Sequence, residues 1–140
     1  MSSFKQTVVV VDDDPDFVSV MRLVLETDGF WEVIDTFDSL ESFFTSALNP
    51  ETKIPNLLVV DIFASTAEAT ATVPITGFQV ALSLRDLGFQ FGTLIISSMD
   101  SPSLLRLVRD RYKDGWAYLV KSADLSSEDI LRAAREALLP

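Results

Sequence analysis

The sequence contains no cysteine and no histidine. Without cysteine, disulfides and thiolate metal sites are excluded. Without histidine, Ser-His and Cys-His catalysis fall away, as do zinc sites of the usual kind. Positive charge is scarce: 11 Lys and Arg stand against 21 Asp and Glu, for a net charge of −10. Such a surface repels phosphate backbones and argues against a nucleic-acid partner. No apolar run approaches the roughly 20 residues of a membrane span. The N-terminal MSSFKQ leads straight into an apolar strand, without the zones of a signal peptide. A cytoplasmic protein with no membrane partner is expected. Its chemistry must run on carboxylates, hydroxyls, lysine and a hard metal.

What is present is a globular composition, 48% hydrophobic over 140 residues, the size of one domain with a real core. Val8–Val11 is a β-branched run, apolar throughout, as expected of a strand buried on both faces. Leu57–Val60 and Leu94–Ile96 have the same character, and Trp31–Phe37 and Trp116–Val120 complete a set of strands. Helical spacing lies between them: Phe17, Met21, Val24 and Leu25 share one face, and Ile130, Ala134, Ala137 and Leu138 another. Asp38 with Glu41 has the spacing of a capping box for the second helix. Ser101-Pro102 opens the fourth, and Gly115 follows its end. Five strand–helix alternations predict an α/β domain, a doubly wound parallel sheet with helices on both faces. Ligands of such sheets sit at the carboxyl ends of the strands.

The segment 62–75, IFASTAEATATVPI, breaks the rhythm. Connections of this kind usually run about 2–6 residues. Ser65 and Glu68 allow a partial helical turn in what otherwise reads as a mobile loop.

The strand ends carry one constellation. The first strand ends in Asp12-Asp13-Asp14, the third in Asp61, the fourth in Ser97-Ser98 and the fifth in Lys121. Asp14 precedes Pro15 and reads as a helix N-cap. Asp12 and Asp13 then face Asp61 on the neighbouring strand. Three close carboxylates raise one another's pKa values unless a cation joins them. With oxygen ligands only, that cation should be Mg²⁺. A carboxylate beside Mg²⁺ can attack phosphorus to give an acyl phosphate. Lys121 can supply charge to one phosphate oxygen and the Ser97 hydroxyl a hydrogen bond to another.

Over nearly its whole length the sequence resembles the receiver domains of two-component response regulators. VVVVDDDP is similar to the family's acidic-pair strand, LLVVD to its phosphoacceptor strand, TLIISS to its hydroxyl strand and GWAYLVKS to its aromatic-plus-lysine strand. The resemblance implies a flavodoxin-like fold with strand order 2-1-3-4-5. It implies Asp61 as phosphoacceptor, Asp12, Asp13 and Asp61 as Mg²⁺ ligands together with the Phe63 backbone carbonyl, and Ser97 and Lys121 as phosphoryl-binding groups. Ser97 and Tyr118 would be the switch pair, although Tyr118 reads equally as a core aromatic. The implied partners are a sensor histidine kinase or phosphotransfer protein and a downstream protein. Mg²⁺-dependent self-phosphorylation and self-dephosphorylation at Asp61 would be the only chemistry, with no independent enzyme activity.

Departures from the family pattern are local. Its Met-Pro appears only as Val73-Pro74, and Gly77 is displaced by the extra loop residues. Ser122 stands where the family has a cis proline; a cis bond to a non-proline costs about 2.5–4 kcal/mol, so a trans bond or an unusually constrained cis one is expected. Phe63 puts an apolar ring where an attacking water would pass, which would lengthen the life of an acyl phosphate. The long loop would contact a partner, or be a tolerated insertion. A single receiver domain, residues 1–140, without an effector domain would signal by protein contact. Arg106, Arg109, Arg111 and Lys113 on the fourth helix offer a basic patch for an acidic partner, or a solvated helix face. The alternatives are a pseudo-receiver, the same fold used as an unphosphorylated binding module, and an Mg²⁺-dependent phosphohydrolase needing a second acid.

Overall fold

A computed structural model describes residues 4–62, 76–98, 106 and 115–138. In chain order it comprises β1 (Gln6–Val11), α1 (Pro15–Asp28), β2 (Trp31–Phe37), α2 (Leu40–Leu48), β3 (Leu57–Asp61), α3 (Gly77–Asp86), β4 (Gly92–Ser97), β5 (Trp116–Val120) and α4 (Ser127–Ala137). The helix α4 is the fifth helical segment of the sequence. The helix expected from Ser101, the expected turn at Ser65 and the Phe63 carbonyl lie outside the described residues.

The strands form one parallel sheet in the order β2-β1-β3-β4-β5, the expected flavodoxin-like topology. Alternate residues of each central strand enter opposite cores, because side chains of a strand point to alternating faces. Val9, Val11, Leu58, Val60 and Ile95 pack with Phe43, Phe78 and Leu84 of α2 and α3. Val8, Val10, Leu57, Val59, Leu94 and Ile96 pack with Met21, Leu25, Ile130 and Ala134 of α1 and α4. Continuous apolar runs are thus the sequence form of strands covered on both sides.

The helix ends have identifiable causes. The Asp14 side chain accepts the Asp16 N–H at 3.1 Å with Pro15 at the first helical position, as expected. At the other end of α1, Gly29 adopts φ 83°, a left-handed conformation that costs glycine nothing. The second helix corrects the expected Asp38–Glu41 box. Ser39 is the cap, with extended backbone, and its hydroxyl accepts the Ser42 N–H at 3.1 Å. Capping boxes at Thr76/Gln79 and Ser126/Asp129 start α3 and α4. No described peptide bond is cis, so the Lys121–Ser122 bond is trans. No described helix is long and apolar enough to cross a membrane.

Candidate functional site

The site lies at the carboxyl edge of the three strands β1, β3 and β5. Parallel strands carry their last residues to the same edge, so Asp12 following β1, Asp61 ending β3 and Lys121 following β5 converge. Asp12 is 1% exposed and Asp61 7%, while Asp13 faces solvent. Carboxylate oxygens of Asp12, Asp13 and Asp61 all lie within 4.8 Å of one another. Beside Asp12 and Asp13 an open cleft runs between α1 and the end of β2, lined also by Arg22, Thr36 and Asp38.

The lysine answers the question of what holds these acids together. Its Nζ stands 2.6 Å from Asp12 Oδ2 and 2.8 Å from Asp61 Oδ2, donating a hydrogen bond to the latter. Its backbone N–H donates to the Ser97 carbonyl at 2.7 Å, which fixes the residue just beyond the β4·β5 ladder. The ammonium also lies over the ring of Phe17, 4.4 Å from its centroid. Burial pulls the Lys121 ammonium down, but the adjoining Asp12 and Asp61 carboxylates outweigh it and its pKa is raised. Burial raises the pKa of the Asp12 carboxyl, against the adjoining Lys121 ammonium and the hydrogen bond from the Asp14 N–H. That backbone bond, Asp14 N–H to Asp12 Oδ1 at 2.9 Å, pins one oxygen of Asp12. The other, Oδ2, has the ammonium as ion-pair partner but no hydrogen bond of good geometry.

The donor set fits a hard divalent cation. It offers oxygen only, from three carboxylates at the ends of two strands, and one buried oxygen lacks a well-aligned donor. Among the expected residues, Asp12, Asp13, Asp61 and Lys121 are brought together. Ser97 ends β4 on the neighbouring strand at 1% exposure. Tyr118 is half-buried in β5 and packs against the α2/α3 core. Of the basic patch, Arg106 alone is described, and it is exposed.

The sequence reading passed over Phe17, which it counted as one of the core positions of α1. A signal was available: Asp14-Pro15 starts the helix directly beyond the acidic pair, so its first turn must overhang the strand ends.

No protein-family model matches the chain, and no curated protein does. Solved structures do match. A CheY-like response regulator receiver domain from Methanospirillum hungatei aligns with a TM-score of 0.71 at 17% identity, covering 95% of this chain and 93% of that one. The signal receiver domain of a modulated diguanylate cyclase from Desulfovibrio desulfuricans gives 0.70 at 22% identity, over 96% of this chain and 94% of that one. The isolated REC domain of RcsB from Salmonella enterica serovar Typhimurium, solved with the phosphomimetic BeF3−, gives 0.71 at 15% identity, over 93% and 86%. The chain has the fold of the response regulator receiver domains.

Proposed function

We propose that this chain is a phosphoacceptor response regulator of a two-component or phosphorelay system. Asp61 takes a phosphoryl group from a sensor histidine kinase or a phosphotransfer protein in the cytoplasm. One observation carries the reading: three carboxylates within 4.8 Å at the carboxyl edge of a receiver-type sheet, with a lysine ammonium reaching them from β5. The structure of the RcsB receiver with a phosphomimetic is consistent with phosphoryl chemistry on this fold.

Asp12, Asp13 and Asp61 would hold Mg²⁺, with the Phe63 carbonyl as a further ligand. When bound, the ion supplies neutralisation of charge on the transferring phosphoryl oxygens. An Asp61 carboxylate oxygen attacks phosphorus; the O–P bond forms as the P–N bond to the donor's imidazole breaks, and that electron pair leaves on nitrogen. Lys121 then exchanges its carboxylate contact for a phosphoryl oxygen, and Ser97 donates its hydroxyl to another. Tyr118 turns inward as Ser97 shifts, which alters the β4–β5 face and the contact made with a downstream protein. Water attacks phosphorus, the Asp61 O–P bond breaks with its electron pair left on the carboxylate, and inorganic phosphate leaves.

The test is intact mass after incubation with acetyl phosphate and Mg²⁺. One added phosphoryl group is expected in the wild type, and none in Asp61→Asn or without Mg²⁺. A folded wild type that takes no phosphoryl group from acetyl phosphate, a histidine kinase or a phosphotransfer protein would overturn the reading.

A further inference from the structure

An ammonium has three N–H groups. In Lys121 two directions are occupied by Asp12 Oδ2 at 2.6 Å and Asp61 Oδ2 at 2.8 Å. Among the described residues the third partner is the Phe17 ring, 4.4 Å from Nζ to its centroid, and an aromatic face attracts a cation through its quadrupole. Phe17 is half-buried, whereas Met21 and Leu25 on the same helix face are fully buried. Its ring therefore does less core packing than theirs and lies over the charge instead. The position is imposed from below. Asp12 Oδ1 accepts the Asp14 N–H, Asp14 caps α1, and Pro15 sets the first helical residue, which leaves Phe17 in the first turn above the strand ends.

The three contacts respond differently to a competing cation. A hard divalent ion takes carboxylate oxygens, the same atoms that hold the lysine, and it has no use for a hydrocarbon ring. The ring contact is thus the one that survives. We propose that Phe17 is a positioning residue for Lys121: its ring keeps the ammonium at the strand ends when a divalent cation takes Asp12 and Asp61. Two effects follow. Lys121 stays where a phosphoryl oxygen would meet it, and its retained charge weakens the cation's hold on the acids. This inference rests on the proposed divalent-cation role of those acids.

The experiment uses the full chain with four side chains at position 17: the native Phe, Phe17→Tyr, Phe17→Leu, and pentafluorophenylalanine in place of Phe17. Leucine keeps the apolar bulk without a ring face, and fluorination inverts the quadrupole at nearly constant shape. Calorimetric titration with Mg²⁺ should give about three- to tenfold tighter binding for the leucine and fluorinated forms, on the scale of one cation–π contact, with Tyr at the native value. In a Lys121→Met background the same changes at position 17 should leave the affinity unmoved. In the metal-free protein, the Lys121 ε-CH₂ proton resonance should lie upfield from ring current in the Phe and Tyr forms and return downfield in the leucine form. Equal Mg²⁺ affinity across the series overturns the proposal. So does an equal gain when Lys121 is absent, since the effect would then be structural. Absence of Mg²⁺ binding in every form, the native included, would instead overturn the divalent-cation reading, and the ring-current shift would still report on the contact itself.

Discussion

Gly77 packs onto the backbone of Asp61 so closely that a β-carbon built on it would lie 2.7 Å from the Asp61 carbonyl oxygen. The same carbon would stand 2.7 Å from the Val60 side chain. The obstacle at Asp61 is main chain, which no rotamer change can relieve. Gly77 N–H also donates to the Ile62 carbonyl at 2.8 Å, so the start of α3 is fastened to the end of β3. Gly77→Ala should destabilise the fold by about 1–3 kcal/mol through overpacking. Urea denaturation checks this, and an unchanged midpoint would show that the contact is loose.

That fastening bears on the connection between Ile62 and Gly77. Its two ends already meet through a backbone hydrogen bond, so the long form is not needed to place α3. Shortening the segment within residues 64–73 should change stability by less than about 1 kcal/mol, because loop-closure entropy varies slowly with length. If the segment contacts a partner, the shortened chain should bind its kinase or target more weakly while acetyl phosphate still labels Asp61. A shortened chain that keeps full partner binding would mark the segment as a tolerated insertion.

Removing the lysine isolates the acids. In Lys121→Met, Asp12 and Asp61 lose the ammonium at 2.6 and 2.8 Å. Breaking one side of a largely buried ion pair should cost about 3 kcal/mol in metal-free buffer. Added Mg²⁺ should then raise the melting temperature of the variant more than that of the wild type, since the ion replaces a missing charge. Equal shifts would mean that the ion does not bind among these acids.

The cap of α1 carries a more modest expectation. Asp14→Ala removes the acceptor of the Asp16 N–H and should lower stability by about 1 kcal/mol, as measured by thermal or urea unfolding. Asp14→Asn should recover most of it. A stability loss shared equally by both variants would mean that the charge, not the cap, matters.

Acid should loosen the last helix. The Ser126 backbone N–H and hydroxyl hold the exposed Asp129 carboxylate below its ordinary 3.8. A depressed folded-state pKa stabilises above the unfolded value, and that contribution disappears as pH falls through the folded value. Stability should therefore fall below pH 3.8 by an increment that Asp129→Asn lacks. Superimposable pH profiles for the two proteins between pH 5 and 2.5 would refute this.

The five strands were legible because both faces of the sheet are covered, which turns each central strand into an unbroken β-branched or leucine-rich run. The site's acids were legible for the same reason: when all strands are parallel, their last residues share one edge. What was not legible depends on single side-chain directions. Asp38 and Ser39 are both good caps, and only the extended backbone of Ser39 decides between them. The strand runs predicted no irregularity, yet the β1·β2 register shifts between Val8 and Val9. Lys121 was identified by its place after β5, but its long chain can point many ways. Its closure onto Asp12 as well as Asp61 follows from three-dimensional distances that spacing does not encode.

The sheet order gives the lysine bridge a meaning in time. β1 and β3 are adjacent and precede β5 in the chain, so the carboxylates come before the ammonium that compensates them. That charge comes with β5, which follows the other four strands in the chain and, among the described residues, is an edge strand paired on one side only. Edge elements open at lower free energy than the centre of a sheet. A nascent chain lacking β5, or a mature one with that edge peeled back, thus presents an uncompensated acidic cluster. On the proposed divalent-cation reading, opening of that edge would release the carboxylate oxygens that the ammonium otherwise occupies.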